Sequence, residues 1–157
     1  MTFISIQTFA CKCKETKFQE GYSNSDLVFV GKVIDIKDYI KGCKNDECTD
    51  YLVVFEITRT LKGNSDNVTI HTFKDSGGCG YPFRYDEEYL VYADKSDENS
   101  FRVGLCSRTS KLETEIARSD IKKIEVKEKT LYNILYSALW VRQLGKLSSY
   151  LKVRKIR

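Results

Sequence analysis

The stretch Leu27-Val-Phe-Val-Gly-Lys-Val-Ile-Asp-Ile36 is dense in β-branched and aromatic residues and follows the polar run Ser23-Asn-Ser-Asp26. A run of that composition after a turn signal reads as a long strand starting near Asp26. Gly31 inside it predicts a bulge or a sharp bend. Beyond a loop over residues 37–50, Tyr51-Leu-Val-Val-Phe-Glu-Ile-Thr-Arg-Thr60 reads as a second strand, and Lys62-Gly-Asn-Ser-Asp66 turns the chain. The alternating Val68-Thr-Ile-His-Thr-Phe73 is a third strand, followed by the glycine-rich connection Asp75-Ser-Gly-Gly-Cys-Gly80. Residues 88–93 and 101–105 supply a fourth and fifth strand around a polar turn. Five short strands with no helical pattern between them predict a mainly β fold, a small antiparallel barrel or sandwich.

After Cys106 the period changes. Ser110-Lys-Leu-Glu113 fits a capping box, so a helix is expected from there to about Ile124, broken near Ser119. Apolar residues at 131, 134, 135, 138, 141, 144, 147 and 151 have helical spacing and predict a second helix over 130–151. Its apolar stripe is expected to pack on the barrel, leaving Lys146, Lys152, Arg154, Lys155 and Arg157 in solvent. Contact with a membrane surface or an acidic partner is the alternative role.

The chain has 157 residues, 41% hydrophobic and 31% charged, which excludes a disordered chain, a collagen-like repeat and a multidomain enzyme. Its net charge of +4 is too small to point to nucleic acid. The distribution is uneven: from Arg118 to Arg157 there are 11 Lys or Arg against 3 Asp or Glu, whereas Met1 to Ala117 has 15 against 19. A barrel domain over 11–116 and a basic helical tail over 117–157 are therefore expected. The longest apolar stretch of the tail, residues 131–141, is interrupted by Asn133 and Ser137, and no transmembrane segment is expected.

Cys11, Cys13, Cys43, Cys48, Cys79 and Cys106 are even in number and contain no C-x-x-C, the spacing of zinc knuckles and thioredoxin-like sites. Three disulfides fit better, and they place the chain in an oxidising compartment, extracellular or periplasmic. Residues 1–10, MTFISIQTFA, end in Thr8-Phe9-Ala10, with small residues where signal peptidase reads. They are read as the remnant of a signal peptide, so that the mature chain begins at Cys11. Lipidation at Cys11 is the other processing route that Ala10-Cys11 allows.

Cys11-Lys-Cys13, Asp26-Leu-Val-Phe-Val-Gly-Lys-Val33, Leu61-Lys-Gly63, Cys79-Gly80, Glu88-Tyr-Leu-Val-Tyr-Ala93 and Cys106-Ser-Arg-Thr109 together resemble the netrin-module family, in its branch similar to tissue inhibitors of metalloproteinases. The resemblance covers about Cys11 to Thr109 and is nearest to single-domain, bacterial-type members. It implies a five-stranded antiparallel Greek-key OB-like barrel with C-terminal helices. It further implies disulfides Cys11–Cys79 and Cys13–Cys106, which leave Cys43 to Cys48; the sequence itself leaves the pairing open. In the inhibitors of this family the mature N-terminal cysteine chelates the protease's catalytic zinc through its α-amine and carbonyl oxygen. By resemblance Cys11 takes that role, Lys12 points into the specificity pocket, and Cys13, Gly78, Cys79 and Gly80 contact the protease. Lys12 stands where the family has a small hydroxyl residue. The resemblance therefore implies a secreted, monomeric metalloendopeptidase inhibitor; the alternative is an extracellular interaction module that inhibits nothing.

The residues offer little to an enzyme. His71 is the only histidine and lies on an alternating strand, where a satisfied side chain is the ordinary case. A Cys79–His71 nucleophile would need a reduced Cys79. Asp86, Glu87 and Glu88 read as a solvated turn, and Asp46-Glu47 as a polar loop rather than a calcium site. The glycines at 77–80 lack the G-K-[ST] ending of a phosphate loop. No cofactor, resident metal or nucleic acid is expected.

Overall fold

A computed structural model describes residues 11–39, 50–64, 68–74, 79–97 and 100–153, of which 137–153 are described by backbone alone. The expected leader over 1–10, the Cys43–Cys48 pair, Asp46-Glu47 and Gly78 lie outside the described residues. The described residues fall into two units, divided between Arg118 and Ser119.

The first unit is built on β1 (Leu27–Asp38), which pairs antiparallel with β2 (Asp50–Lys62) on one edge and with β4 (Glu88–Asp97) on the other. Being paired on both edges, β1 buries Leu27, Val28, Phe29 and Val30 in succession rather than in alternation. The expected irregularity at Gly31 is a register shift between Val30 and Gly31. A Cβ there would lie 3.0 Å from the Phe29 ring and 3.1 Å from the Glu56 carbonyl, so the bend needs glycine. β3 (Thr69–Phe73) pairs with β2, β5 (Ser100–Arg102) with β3 and β4, and the short β6 (Ser110–Lys111) with β4.

Strands β1-β2-β3-β5-β4 thus close on β1 as an OB-like barrel. The barrel is not antiparallel throughout: β3 and β5 run parallel, with Thr69 opposite Ser100 and His71 opposite Arg102. Parity explains this departure. Strand direction cannot alternate all the way round a closed ring of five, so one neighbouring pair must be parallel.

Inside lie Leu27, Phe29, Val33, Val53, Ile70, Phe83, Tyr89, Val91, Phe101 and Val103. Phe29, Phe55, Phe83 and Tyr89 continue each other edge to face with ring centroids 5.0–5.2 Å apart, a geometry that adds to their burial. Burial pushes the Tyr81 hydroxyl up to about 12, while Tyr89, also raised by burial, donates to Glu87 at 2.6 Å and accepts from the Arg84 amide.

A short α1 (Phe18–Asn24) precedes the barrel, with no sequence signal strong enough to announce it. Phe18 and Tyr22 stack at 5.7 Å one turn apart, and Lys62 caps the other end. The Lys62 ammonium donates to the carbonyls of Tyr22, Ser23 and Ser25 at 2.5–3.1 Å, placing a cation on the helix's carbonyl end. Gly63 next to it has φ +81°, and a Cβ there would sit 2.5 Å from the Asp26 carbonyl. Leu61-Lys62-Gly63 is therefore the joint between β2, α1 and the start of β1.

The expected capping box at Ser110 is corrected. Ser110 and Lys111 extend the sheet opposite Leu90 and Tyr89, and the N-cap is Thr114, whose Oγ1 accepts from the Ala117 amide at 3.2 Å. α2 (Glu115–Val153) then runs without the break expected near Ser119. Ala117 and Ile124 are fully buried, whereas Val126, Leu131, Tyr132, Ile134, Leu135 and Tyr136 are 53–66% exposed.

Candidate functional site

Cys11, Cys13, Cys79, Gly80 and Cys106 come together beside Phe73 at the end of β3. Cys79 opens the segment after β3, and Gly80 bridges antiparallel to Gly104, while the Leu105 amide donates to the Cys79 carbonyl at 2.6 Å. This pairs two loops along a short seam. Gly80 has to be glycine, since a side chain would run into the Phe73 carbonyl, and Cys79 takes a left-handed φ of 57°. A non-glycine residue in that region is held there by its surroundings at some cost.

The N-terminal segment is fastened to this seam twice. Cys11 is bonded to Cys79, with Cα atoms 5.8 Å apart, and Cys13 to Cys106, 5.1 Å apart. Residues 11–17 have no regular structure, so the two bonds do what a backbone ladder would otherwise do. Further along, the Thr16 hydroxyl donates to the Cys106 carbonyl at 3.4 Å and the Arg108 guanidinium donates to the Thr16 carbonyl. The Arg108 stem packs on Gly21, where a Cβ would lie 2.9 Å away, tying α1 to the same loop.

Between the two anchored cysteines, Lys12 is exposed, and Lys14 and Lys17 are exposed nearby. The result is an exposed, basic Cys-Lys-Cys segment held at both cysteines by disulfides. Beside Gly80 lies an apolar groove of about 500 Å³, lined by Tyr51, Phe73, Tyr81, Pro82, Phe83 and Leu105 with Lys74 at its side. Lys74 pairs with Asp38 at 2.6 Å and lies 5.3 Å from the Tyr51 ring centre.

The enzyme candidates separate. Cys79 is in a disulfide and supplies no thiol for a nucleophile. His71 is 6% exposed and edge-on to Tyr39 at 4.4 Å, a core position. Asp86 has φ 67° and pairs with Lys32 at 2.7 Å. Glu87 bonds Lys111 at 2.8 Å and Tyr89, and those two bonds, Lys111 first, hold its carboxyl below the usual carboxylate range. Both acids serve the turn between Phe83 and β4. Among the described residues no group of three His, Cys, Asp or Glu is placed to hold a metal ion.

The sequence pattern of the family described as "Tissue inhibitor of metalloproteinase" matches residues 9–128. No curated protein matches the chain.

Proposed function

From the premise that this chain belongs to the tissue inhibitor of metalloproteinase family, a family of inhibitors and not of enzymes, we propose that it inhibits a zinc endopeptidase through its Cys11-Lys12-Cys13 segment. The observation that carries the reading is the double fastening of that segment to the Cys79–Gly80 and Gly104–Cys106 seam, with Lys12 exposed between the bonds.

Removal of residues 1–10 by a signal peptidase would leave Cys11 with a free α-amine. A catalytic zinc has three protein ligands and one position open to water. An amine and the carbonyl of the same residue close a five-membered chelate on that position and displace the water. Only a terminal residue has the nitrogen lone pair that this requires, because a peptide nitrogen is conjugated to its carbonyl. The ordinary α-amine pKa of about 7.7 to 8.0 lets the metal take the deprotonated form near neutral pH. A segment already immobilised by two bonds loses little further entropy on binding. Cys13, Cys79 and Gly80 flank the contact. Disulfides persist in oxidising compartments, which supports a site of action outside the cytosol, in the extracellular space or the periplasm.

Lys12 narrows the target. An ammonium taken into an apolar pocket without a partner is costly, so the protease that accepts this segment carries a carboxylate at the end of its specificity pocket. The same charge favours a second reading, an extracellular interaction module without inhibition. One assay separates the two. The chain beginning at Cys11 is titrated against a panel of zinc endopeptidases beside the same chain with one alanine ahead of Cys11. Inhibition by the first form alone is expected; equal inhibition by both, or none by either, removes the chelation mechanism.

A further inference from the structure

We propose that α2 docks on an anionic lipid surface through residues 130–141. This inference is independent of the inhibitory reading and rests on the second unit alone.

All six large apolar side chains described on α2 between 126 and 136 are more than half exposed. A contiguous apolar patch on a helix marks a contact surface. The twelve residues from Thr130 to Val141 contain no charge, and they lie between Lys122, Lys123, Lys127 and Lys129 on one side and Arg142 and Lys146 on the other. Residues 118–157 together carry 11 basic and 3 acidic side chains. The occupant must therefore be both apolar and negatively charged, the two properties that an anionic bilayer surface combines.

Two other occupants fit less well. A second copy of α2 would need a seam that keeps a 3.5-residue period. Leu131, Ile134, Ala138 and Val141 keep that period for two heptads only, after which Gly145 and Ser148 take the seam positions, and two copies would bring together surfaces that each carry 11 basic against 3 acidic side chains over residues 118–157. A bilayer-spanning helix is excluded for the described residues by length and hydropathy. Twelve residues rise only about 18 Å, against a hydrocarbon core of about 30 Å. A segment of this length suits the headgroup layer, where aromatic rings with a polar end reside. Tyr132 and Tyr136 stack at 6.1 Å along one face, and Trp140 follows at the same spacing in sequence.

The test is cosedimentation of the full disulfide-bonded chain with vesicles of phosphatidylcholine alone and of phosphatidylcholine mixed with phosphatidylglycerol. Binding to the mixed vesicles, weak binding to the neutral ones, and release at high salt are expected. The triple variant Lys129→Gln, Arg142→Gln and Lys146→Gln should weaken the partition by about tenfold or more, since each basic residue near the surface contributes. The variant Leu131→Gln with Leu135→Gln should weaken it comparably. Glutamine keeps helix propensity, and circular dichroism checks that each variant is folded. Equal binding to both vesicle types, no binding to either, or indifference to both variants would overturn the proposal. So would concentration-dependent self-association in sedimentation velocity that the leucine variant abolishes, which would assign the surface to a second copy.

Discussion

At the scale of single residues, two side chains separate structural from functional demand. Lys62 donates to three carbonyls and lies 5.3 Å from the Tyr22 ring centre, so its charge is consumed inside the fold. Lys62→Met should cost about 2 kcal/mol, because the carbonyl end of α1 loses a charged donor; urea unfolding measures it, and protease inhibition by the folded variant should be unchanged. Lys12 is the converse case, exposed and free to vary without harm to the core. Lys12→Thr should leave the unfolding midpoint unmoved and shift the inhibition profile away from proteases with an acidic pocket toward those with an apolar one. An unchanged profile would take Lys12 out of the contact. The motif Leu61-Lys62-Gly63 could be quoted from the sequence, but its purpose could not, since that lies in carbonyls about forty residues earlier.

At the scale of elements, β6 and the start of α2 depend on two small devices. Thr114→Ala removes the acceptor of the Ala117 amide and should cost about 1 kcal/mol, read from thermal unfolding. Glu87 joins the β4 end to β6 through Lys111. Its carboxyl titrates below the usual range in the folded chain, so the contribution of the pair is complete above that range and is lost as pH falls through the folded value. Stability should therefore drop on acidification, with a shallower drop in Lys111→Met; equal slopes would remove the pair from the acid response. Strands β1 to β5 were legible because burial on one or both faces leaves a β-branched, alternating pattern, and Gly31 marked its own bulge. α1 was not legible: seven residues containing Gly21 have weak intrinsic helix preference, and Lys62 and the Phe18–Tyr22 stack supply what the segment lacks. Ser110 misled because a Ser-x-x-Glu spacing is shared by caps and strands, and pairing with Tyr89 and Leu90 prevailed.

At the scale of the molecule, the two long-range disulfides span 68 and 93 residues. Chain entropy sets an upper value of about 4 to 5 kcal/mol for each. Replacing Cys13 and Cys106 together by serine should lower the melting temperature and weaken inhibition while Cys11 keeps its amine. Retained potency at reduced stability would show that one fastening suffices. The ring was legible as five strands, yet its one parallel pair follows from counting rather than from composition. The Cys-Lys-Cys segment was legible only as a family resemblance, because seven residues without regular structure have no periodicity to read. The seam between Cys79–Gly80 and Gly104–Cys106 also has a mechanical meaning. A bound protease pulling on residue 11 loads Cys79 through a covalent bond, while the next anchor, two residues on, loads Cys106 on the opposite side of the seam. Tension is divided between both sides like a bridle, so no single loop is peeled from the barrel.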